Sequence, residues 1–500
     1  MLELARLGLG LMLSVFGWRL TVPRSRPTRV SAATLLDLAA PIGGFGWLAM
    51  VTGRPLLSGL SILAVFGGLA FGDRAKRQIL AEPALFSDLS LLILILRHPG
   101  LYLAYVGYVR VASGAAALVA AFAAALWLEP SFKGWDVFLG AAWAAAGVGL
   151  VWALAGPLLG WAAAGARRLA PTGDPEQDAA KLGLLATLLS HGLIARSERM
   201  ARQGAVVPPP PLQSPPVIRG RLAPVVIVQA ESFFDARRLH PRVPGDLLPS
   251  FEQHRTSSLQ WGRLDVRGRG GNTMRTEFDV LTGLSAETVG LDWRNPYHAF
   301  ARRPVDSLAW RFRSRGYRTV CVHPFDRTFF GRDQVMPNLG FETFWGEEAF
   351  EDAERDGRYI ADAEVARMTD RLLQEGDGLF LFAITVANHG PWGPSAAPAW
   401  IPADAQARRC PQAAGWIEGL QRSDAMLGDI AAALDRRGDG GLLAFFGDHP
   451  PCLPALFDAA GFEERTTDYL LWRSGEGQAP RRDCTAAELS RTILSAAEPA

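Results

Sequence analysis

Long apolar windows recur in the first third of the chain, separated by short charged segments. Five windows are nearly free of charge, and they cover residues 4–18, 33–52, 56–72, 113–128 and 136–163. A helix needs about 20 apolar residues to cross a bilayer, and fewer where flanking side chains reach the interface. The pattern therefore predicts a helical membrane domain over residues 1–166 with about five spans, of which the first and fourth are marginal in length.

Two apolar segments leave alternatives open. The first window could be a cleaved secretory signal, but it lacks a small-residue cleavage site and leads directly into further apolar segments, which favours an uncleaved anchor. The segment 86–109 is interrupted by Arg97, His98 and Pro99, so it is either an interfacial or re-entrant element or a further span. Basic residues follow the first, third and fifth windows, and the positive-inside rule applied to them would place the rest of the chain in the cytoplasm. A crossing at 86–109 would reverse that orientation.

Residues 167–217 are expected to connect this domain to the rest of the chain. They begin with a mixed helical segment whose apolar stripe could lie on a membrane surface. The proline-rich stretch VVPPPPLQSPPVIRG follows, and such a stretch is extended and stiff. From 218 to 500, short apolar runs alternate with helix-like segments, which is typical of an α/β domain.

Polar residues follow four apolar runs of this second half. Glu231 follows the run VVIVQA, and His323 and Asp326 follow TVCV. Asn388 and His389 follow LFLFAITV, and Asp448 and His449 follow LLAFFG. One such residue alone is more commonly a turn former or a helix cap. Because ligands of open parallel sheets bind beyond the carboxyl ends of the strands, four such ends in succession favour one polar crevice.

Three of these residues have the chemistry of metal ligands. Glu231 and Asp448 offer carboxylate oxygens and His449 offers an imidazole nitrogen. Mn²⁺, Mg²⁺ and Zn²⁺ are all bound by such groups. The sequence therefore predicts a divalent metal site that still lacks one ligand.

Thr273 could supply that ligand. It follows the glycine-rich stretch RGRGGN, and apolar residues at helical spacing begin five residues later, so it lies just before a helix N-terminus, where backbone amides favour a phosphate. A hydroxyl becomes a good nucleophile when a metal or a base lowers its pKa. The alternative is that Thr273 or Asn272 only caps the helix, although Glu277 stands one residue too far along for a capping box.

Composition and other motifs narrow the function. The net charge of +1 gives no indication of a nucleic-acid partner. The stretch before Thr273 lacks the lysine of a P-loop, and no serine lies in a GxSxG context. The four cysteines permit disulfides, but their spacing suits neither a zinc knuckle nor a CxxC redox site: Cys321, Cys410, Cys452 and Cys484.

Five motifs carry a family resemblance. QAES, GGNTMRTEFDVLTGLS, HPFDRTFFGRDQVMPNLGFETF, ANHGPW and FFGDHPP occur over about residues 225–475. In order and approximate spacing, this set resembles the lipoteichoic acid synthase and phosphoglycerol transferase family, a branch of the alkaline phosphatase and sulfatase superfamily. The resemblance implies a multi-span membrane domain followed by an alkaline-phosphatase-like (sulfatase-like) α/β catalytic domain at 218–500, outside the cytoplasmic membrane.

The resemblance also implies a reaction. The protein would transfer phosphoglycerol from phosphatidylglycerol to a glycan or polymer acceptor, with Thr273 as the covalent nucleophile. A divalent metal, most commonly Mn²⁺, would be held by the matching residues Glu231, Thr273, Asp448 and His449.

Further residues match substrate-binding positions of the family. Arg332, His389 and either or both of His323 and Asp326 would bind the phosphate or the glycerol, and His389 would also take part in catalysis. We expect Arg332 to grip phosphate oxygens in bidentate fashion, as guanidinium groups do.

The chain departs from the family pattern in two places. Phe330 stands where the family often has tryptophan, and Pro450, Pro451 and Cys452 follow the metal-binding pair. Both departures put the donor head group in question, so a phosphoethanolamine transferase or another sulfatase-like phosphodiesterase is the alternative. A cysteine-nucleophile sulfatase is disfavoured because CLPAL at 452–456 lacks the required arginine. A binding protein without enzymatic activity is disfavoured because all four expected metal ligands are present.

Overall fold

The computed structural model describes most of the chain, which forms two compact units, Met1–Gly204 and Ala205–Ala500. The described residues are 1–22, 32–80, 82–131, 134–170, 172–202, 222–268, 270–393, 412–462, 465–475, 477 and 480–498. The proline-rich part of the expected linker lies outside these residues.

The first unit is entirely helical in its described residues. Its helices are α1 (Leu2–Thr21), α2 (Ala32–Thr52), α3 (Pro55–Leu80), α4 (Leu92–Arg97), α5 (Pro99–Val106), α6 (Tyr108–Leu128), α7 (Val137–Ala155), α8 (Leu159–Leu169), α9 (Pro175–Leu182) and α10 (Leu184–Ala201). Within the described residues, α3, α6 and α7 are long and apolar enough to cross a membrane. The helical region with apolar spans predicted from the sequence is confirmed, and the number of spans stays a prediction.

Small residues bring the first and third helices close together. Gly10, Ser14 and Gly17 form a buried stripe on α1, and Gly59 is buried on α3. A Cβ atom on Gly59 would overlap the backbone of Gly10. Helices pack in this way in membranes, where small side chains let backbones approach closely.

Two expected apolar segments are broken in the structure. The window 136–163 is divided after Ala155, because Gly156 and Pro157 end α7 before α8 begins. The segment 86–109 consists of a 3₁₀ turn, α4, α5 and the start of α6, so no single helix runs through it. The mixed segment expected at the start of the linker contains the end of α8, then α9 and α10, and its last helix ends at Ala201.

The second unit is an α/β domain built on an eight-stranded sheet. The strands are β1 (Val225–Ala230), β2 (Gln260–Asp265), β3 (Arg318–Val322), β4 (Thr343–Trp345), β7 (Leu379–Ile384), β8 (Leu442–Gly447), β9 (Thr466–Arg473) and β10 (Cys484–Thr485), with β5 (Arg355–Asp356) and β6 (Tyr359–Ile360) forming a separate hairpin. The order across the sheet is β10-β2-β9-β8-β1-β7-β3-β4. The strands from β8 to β4 are parallel, and β9 is antiparallel to both of its neighbours.

Helices surround this sheet. They are α11 (Pro249–Thr256), α12 (Met274–Thr282), α13 (Ala286–Val289), α14 (Pro296–Phe300), α15 (Leu308–Arg313), α16 (Arg332–Asn338), α17 (Asp362–Gln374), α18 (Ala413–Arg437), α19 (Pro454–Ala459) and α20 (Ala486–Ala496). Strands β1, β7 and β8 are buried at every residue, which is why their sequences are continuous apolar runs instead of alternating ones. The predicted α/β class is confirmed.

Candidate functional site

The carboxyl ends of two neighbouring central strands meet at one buried point. The parallel register of β1 and β8 pairs Ala230 with Gly447, so Glu231 and Asp448 leave the sheet side by side. His449 follows directly, and all three residues are at most 5% exposed. The convergence expected from the apolar runs is therefore found for these three residues.

The three side chains form a compact cluster of possible metal ligands. One ligand atom from each of Glu231, Asp448 and His449 lies within 4.8 Å of the others. His449 Nε2 is 3.3 Å from Asp448 Oδ2 and 3.6 Å from Glu231 Oε1. Two oxygens and one imidazole nitrogen at these separations can face one divalent cation.

The hydrogen bonds around the cluster leave the ligand atoms available. Asp448 Oδ1 accepts from the backbone N–H groups of Ser232 and His449, at 2.9 and 2.8 Å. His449 Nδ1 lies 3.0 Å from the carbonyl oxygen of Pro450, so that nitrogen carries the hydrogen and Nε2 presents its lone pair. Asp448 Oδ2 and His449 Nε2 are buried with no hydrogen-bond partner among the described residues. Buried acceptors normally find a donor, so this pair fits a cation.

The raised pKa of Glu231 also indicates that the cluster suits a cation. Burial, followed by repulsion from the Asp448 carboxylate, raises the pKa of Glu231 to about 8. Two buried carboxylates this close are unfavourable together without a positive partner. A divalent ion would supply that charge, and its identity is not fixed by this ligand set.

Ser232 was not singled out from the sequence, yet it organises the cluster. Its hydroxyl donates to Glu231 Oε1 at 2.8 Å, its N–H donates to Asp448, and its carbonyl accepts from Trp416 Nε1 at 3.1 Å. The backbone φ of Ser232 is +52°, a conformation that costs a non-glycine residue energy. Ser232 is the last residue of the QAES motif, but the motif alone does not reveal this role, because the role depends on backbone geometry.

The glycine-rich loop before Thr273 packs against the residues that follow Asp448. Gly270 N–H donates to the carbonyl of Pro450 at 2.9 Å, and the position of a Cβ on Gly270 is filled by Cys452. The hydroxyl of Thr276 donates to the backbone carbonyl of Asp448 at 2.8 Å. The first turn of α12 is thus bound directly to the segment that carries Asp448 and His449.

Thr273 itself occupies the residue before α12. It is 8% exposed, and its side chain makes no capping hydrogen bond to the helix. Asn272, just before it, has φ +62°, which turns the chain sharply into the helix. The simple capping role for the Thr273 side chain therefore lacks its hydrogen bond, and the role of nucleophile stays a prediction.

Arg332 lies in a buried polar network with Glu277. Its Nε and Nη2 donate to the two oxygens of Glu277 at 2.9 and 2.7 Å. Tyr297 also donates to Glu277, as does Gln229 at 3.0 Å. Burial lowers and the pairing with Glu277 raises the pKa of Arg332, with a net increase. The bidentate partner of the Nε–Nη2 edge of Arg332 is therefore a carboxylate of the protein, and the expected contact of Arg332 with phosphate stays a prediction.

His323 and Asp326 both have partners within the protein. Arg332 Nη1 donates to His323 Nε2 at 3.2 Å, and His323 Nδ1 lies 3.3 Å from the carbonyl oxygen of Ile384. Burial, followed by the charge of Arg332, lowers the pKa of His323 well below its usual value. Asp326 accepts from the N–H and hydroxyl of Thr328, both at 2.8 Å. Direct contact of His323 or Asp326 with a substrate stays a prediction.

His389 is held with one ring nitrogen directed at the protein. Its Nδ1 lies 2.6 Å from the carbonyl oxygen of Gly390 and 3.4 Å from the hydroxyl of Tyr359. A carbonyl only accepts, so Nδ1 carries the hydrogen and Nε2 is the basic atom. Burial lowers the pKa of His389, which keeps this imidazole neutral near pH 7.

Phe330, the residue that replaces the family's usual tryptophan, is also strained. Its φ is +58°, its ring centroid lies 4.3 Å from that of Phe329, and Arg332 lies over its ring at 5.4 Å. Among the described residues, four non-glycine residues have positive φ, and three of them adjoin site residues: Ser232, Asn272 and Phe330. Strain concentrated in this way is typical of functional sites.

Comparison with known proteins identifies the family. The sulfatase family profile matches residues 224–498, which is more than half of the chain. The chain belongs to the sulfatase family. This confirms the superfamily inferred from the five motifs, and membership of the family supports an enzymatic function.

A curated relative extends the similarity over almost the whole chain. The capsular polysaccharide biosynthesis protein RkpI of Rhizobium meliloti (strain 1021) is 30% identical over 471 residues, which cover 90% of this chain and 82% of that protein. The similarity therefore includes the helical unit.

Solved structures also match the chain, at lower identity. The lipooligosaccharide phosphoethanolamine transferase A of Neisseria meningitidis, an integral membrane protein, is 13% identical with a TM-score of 0.57, covering 97% of this chain and 94% of that one. The phosphoglycerol transferase GacH of Streptococcus pyogenes is 19% identical with a TM-score of 0.46, covering 61% and 80%. The first of these supports the sulfatase-like fold behind a helical region and does not by itself assign a substrate.

The cluster predicts metal binding that can be measured without activity. Mn²⁺ should raise the thermal unfolding midpoint of the full-length protein after chelation, because an ion that binds only the folded state at 100 times its Kd adds about 2.7 kcal/mol. Asp448→Ala should remove this response, whereas Asp435→Ala, which changes an exposed carboxylate on α18, should keep it. An Asp448→Ala protein that Mn²⁺ stabilises as much as the wild type would refute the metal site.

The buried Arg332–Glu277 pair predicts strong energetic coupling. Glu277→Gln or Arg332→Met alone should cost about 3–5 kcal/mol, because each leaves an unmatched buried charge, whereas the double variant should cost much less than their sum. The matched control is the exposed pair Arg436–Asp370, at 61% and 36% side-chain exposure, for which Asp370→Asn and Arg436→Met should couple by at most about 1 kcal/mol. Thermal unfolding of the six variants measures both cycles, and additive costs for the buried pair would contradict the inference.

Proposed function

We propose that this protein is a membrane-anchored phosphotransferase that moves phosphoglycerol from phosphatidylglycerol to a hydroxyl of a glycan or polymer, with Thr273 as covalent nucleophile. The observation that carries the proposal is the buried cluster of Glu231, Asp448 and His449 beside a helix start that is fixed to the same segment. Membership of the sulfatase family supports it.

Glu231, Asp448 and His449 would hold a divalent metal together with the hydroxyl of Thr273. Manganese is the ion we propose, with magnesium and zinc as alternatives that the same ligand types accept. When bound, such an ion acts as a Lewis acid that lowers the pKa of a coordinated hydroxyl and offsets charge on phosphate oxygens.

The first step would form a bond between Thr273 Oγ1 and the phosphorus of the lipid. The bond from phosphorus to the diacylglycerol oxygen breaks, and diacylglycerol leaves with the proton that Thr273 gave up. The N-terminal end of α12 favours the negative charge of the phosphoglycerol that remains on Thr273.

The second step would return Thr273 to its free form. A hydroxyl oxygen of the acceptor attacks phosphorus, the Thr273–phosphorus bond breaks, and Thr273 regains a proton. We assign His389 to this step, because its neutral imidazole presents Nε2 as a base for the acceptor proton.

The remaining predicted residues receive different roles. Arg332 would contact the donor phosphate through N–H groups outside the edge that Glu277 occupies, since a guanidinium has five donors. His323 would position Arg332 through their hydrogen bond. Asp326 would fix the turn that leads to Phe330 and Arg332.

The identities of the donor and the acceptor are inferred from the motif resemblance and from the relatives. The motif resemblance favours phosphatidylglycerol as donor, and the relative involved in capsular polysaccharide biosynthesis supports a glycan acceptor. Phosphoethanolamine is the alternative group, because the structural neighbour that covers most of the chain is a phosphoethanolamine transferase. Residues 218–500 would face the periplasm or the cell exterior, where both substrates would meet.

Thr273→Ala should reduce cleavage of glycerol-labelled phosphatidylglycerol by orders of magnitude in a protein that still folds, because it removes the nucleophile. Loss of a cap alone would cost about 1 kcal/mol of stability and leave most activity. Thr273→Ser should retain part of the rate. Thr282→Ala, at the other end of α12, is the matched control and should cleave at the wild-type rate.

Mass spectrometry of wild-type protein with Mn²⁺ and donor, but no acceptor, should find phosphoglycerol on the peptide that contains Thr273. An adduct on Thr276 or Ser285, or a Thr273→Ala protein near the wild-type rate, would make the assignment wrong. A parallel incubation with ethanolamine-labelled phosphatidylethanolamine separates the two head groups: label on Thr273 from this lipid alone would replace phosphoglycerol as the group transferred.

The proposed orientation predicts the behaviour of fusions. Alkaline phosphatase fused after residue 500 should be active, because this enzyme matures only outside the cytoplasm. A fluorescent reporter that folds only in the cytoplasm should be dark at the same position. The opposite pair of results would place the catalytic unit inside the cell.

A further inference from the structure

One cavity of the α/β unit is lined by none of the residues assigned to the reaction. It has a volume of about 320 Å³ and lies between α11, the turn after β1 and strands β2 and β9. Five arginines and three carboxylates line it, together with Phe251, Trp261 and Gly262. The lining therefore carries more positive than negative charge.

Two of these arginines build the wall of the cavity. Arg237 pairs with Asp235 at 2.8 Å and with Glu252 at 3.1 Å. Arg238 pairs with Asp468 at 2.8 Å and lies 4.5 Å above the ring of Phe234. Their several protein contacts give these two guanidinium groups a structural function.

The other three arginines lie near Trp261, and Arg255 among them is also ion-paired with Glu252. Trp261 and Arg263 are two residues apart on β2 and so share a face of the strand. Arg255, on α11, lies 4.2 Å above the ring of Trp261. Arg481 is bridged to Trp261 through the backbone, and its guanidinium, 40% exposed, contacts the exposed Asp483. Arg255 thus stacks on a partly exposed indole, and Arg263 and Arg481 are its neighbours along and across the sheet.

The arginines and the tryptophan of the cavity lining indicate which class of ligand the cavity could bind. Guanidinium groups bind carboxylates and phosphates through paired N–H donors, and five arginines against three carboxylates disfavour a cation. The volume lies at the lower end of the range for small-molecule sites, which suits one or two sugar rings and excludes a folded partner. Trp261 offers an apolar ring face beside the charges.

We propose that this cavity binds an acidic sugar unit, bearing a carboxylate or a phosphate, of an anionic glycan. The cavity is close in the fold to the metal cluster: Asp468 lines the cavity, and its neighbour Thr467 donates to the carbonyl of Gly447, directly before Asp448. Its assignment as a subsite for the acceptor rests on the proposed function, whereas binding of the sugar does not.

Calorimetric titration of the full-length protein in detergent tests the binding. Chelated protein is used, so that a phosphate cannot bind through a metal. The ligands are digalacturonic acid and glucose 6-phosphate, with cellobiose and glucose as neutral partners and inorganic phosphate as a sugar-free anion. At least one acidic sugar should bind ten times more tightly than its neutral partner and than phosphate, and the sugar that binds identifies the acidic group.

The variants assign that binding to the cavity. Arg263→Gln combined with Arg481→Gln should weaken it at least tenfold, whereas Arg436→Gln, an exposed arginine on α18, should change it less than twofold. Arg481→Gln alone removes one exposed ion pair, which contributes little to stability, so it serves as the test if the double variant fails to fold. Thr273→Ala should bind like the wild type, which separates this proposal from the reaction.

Three results would overturn the proposal: equal affinity for acidic and neutral sugars, unchanged affinity in the arginine variants, or no binding of either acidic sugar. Sugar binding by a wild-type protein that shows no transferase activity with either labelled lipid would count against the proposed function and leave the cavity assignment in place.

Discussion

Two buried carboxylates at the ends of adjacent strands repel each other, and the rest of the α/β unit has to accommodate this repulsion. Glu231 and Asp448 leave adjacent parallel strands at the same level of the sheet, so the fold itself forces them together. Burial and mutual repulsion raise the pKa of Glu231 to about 8, which shows that hydrogen bonds from Ser232 and the backbone do not fully offset the charge. A site of this kind is stable in its ionised form only with a cation, and the lone pair of His449 faces the same space.

A buried arginine whose charge acts on Glu231 is paired with a different carboxylate. Arg332 is close enough to lower the pKa of Glu231, but Glu277 binds it through two hydrogen bonds. Tyr297 and Gln229 donate to Glu277 and hold it in place. Without Glu277, the guanidinium would be drawn towards the two carboxylates. The buried pair therefore leaves the space between Glu231 and Asp448 without a guanidinium, as the proposed metal site requires, at the cost of desolvating two charges.

Some site residues could be predicted from the sequence around them, and others depend on residues that are distant in the sequence. Glu231, Asp448 and His449 follow continuous apolar runs, and parallel strands bring such ends together, so their convergence could be predicted from the sequence. The pairing of Arg332 with Glu277 could not, because 55 residues separate them and a helical Glu277 looks like an ordinary surface or capping residue. Its nearly complete burial, at 0% exposure, is a tertiary property. The strain at Ser232 and Phe330 escaped prediction because neither residue type favours positive φ.

The same reasoning accounts for one departure from the family motif. The described residues of the glycine-rich loop, 266–268 and 270–273, lie in no helix or strand, so the shape of this part of the loop must come from its contacts. Pro450 accepts a hydrogen bond from Gly270, and Cys452 fills the space beside Gly270, where φ is +67°. The residues after His449 that depart from the family pattern therefore contact the loop before Thr273. Because the same segment carries Asp448 and His449, one stretch of chain connects the proposed metal ligands to the loop of the proposed nucleophile.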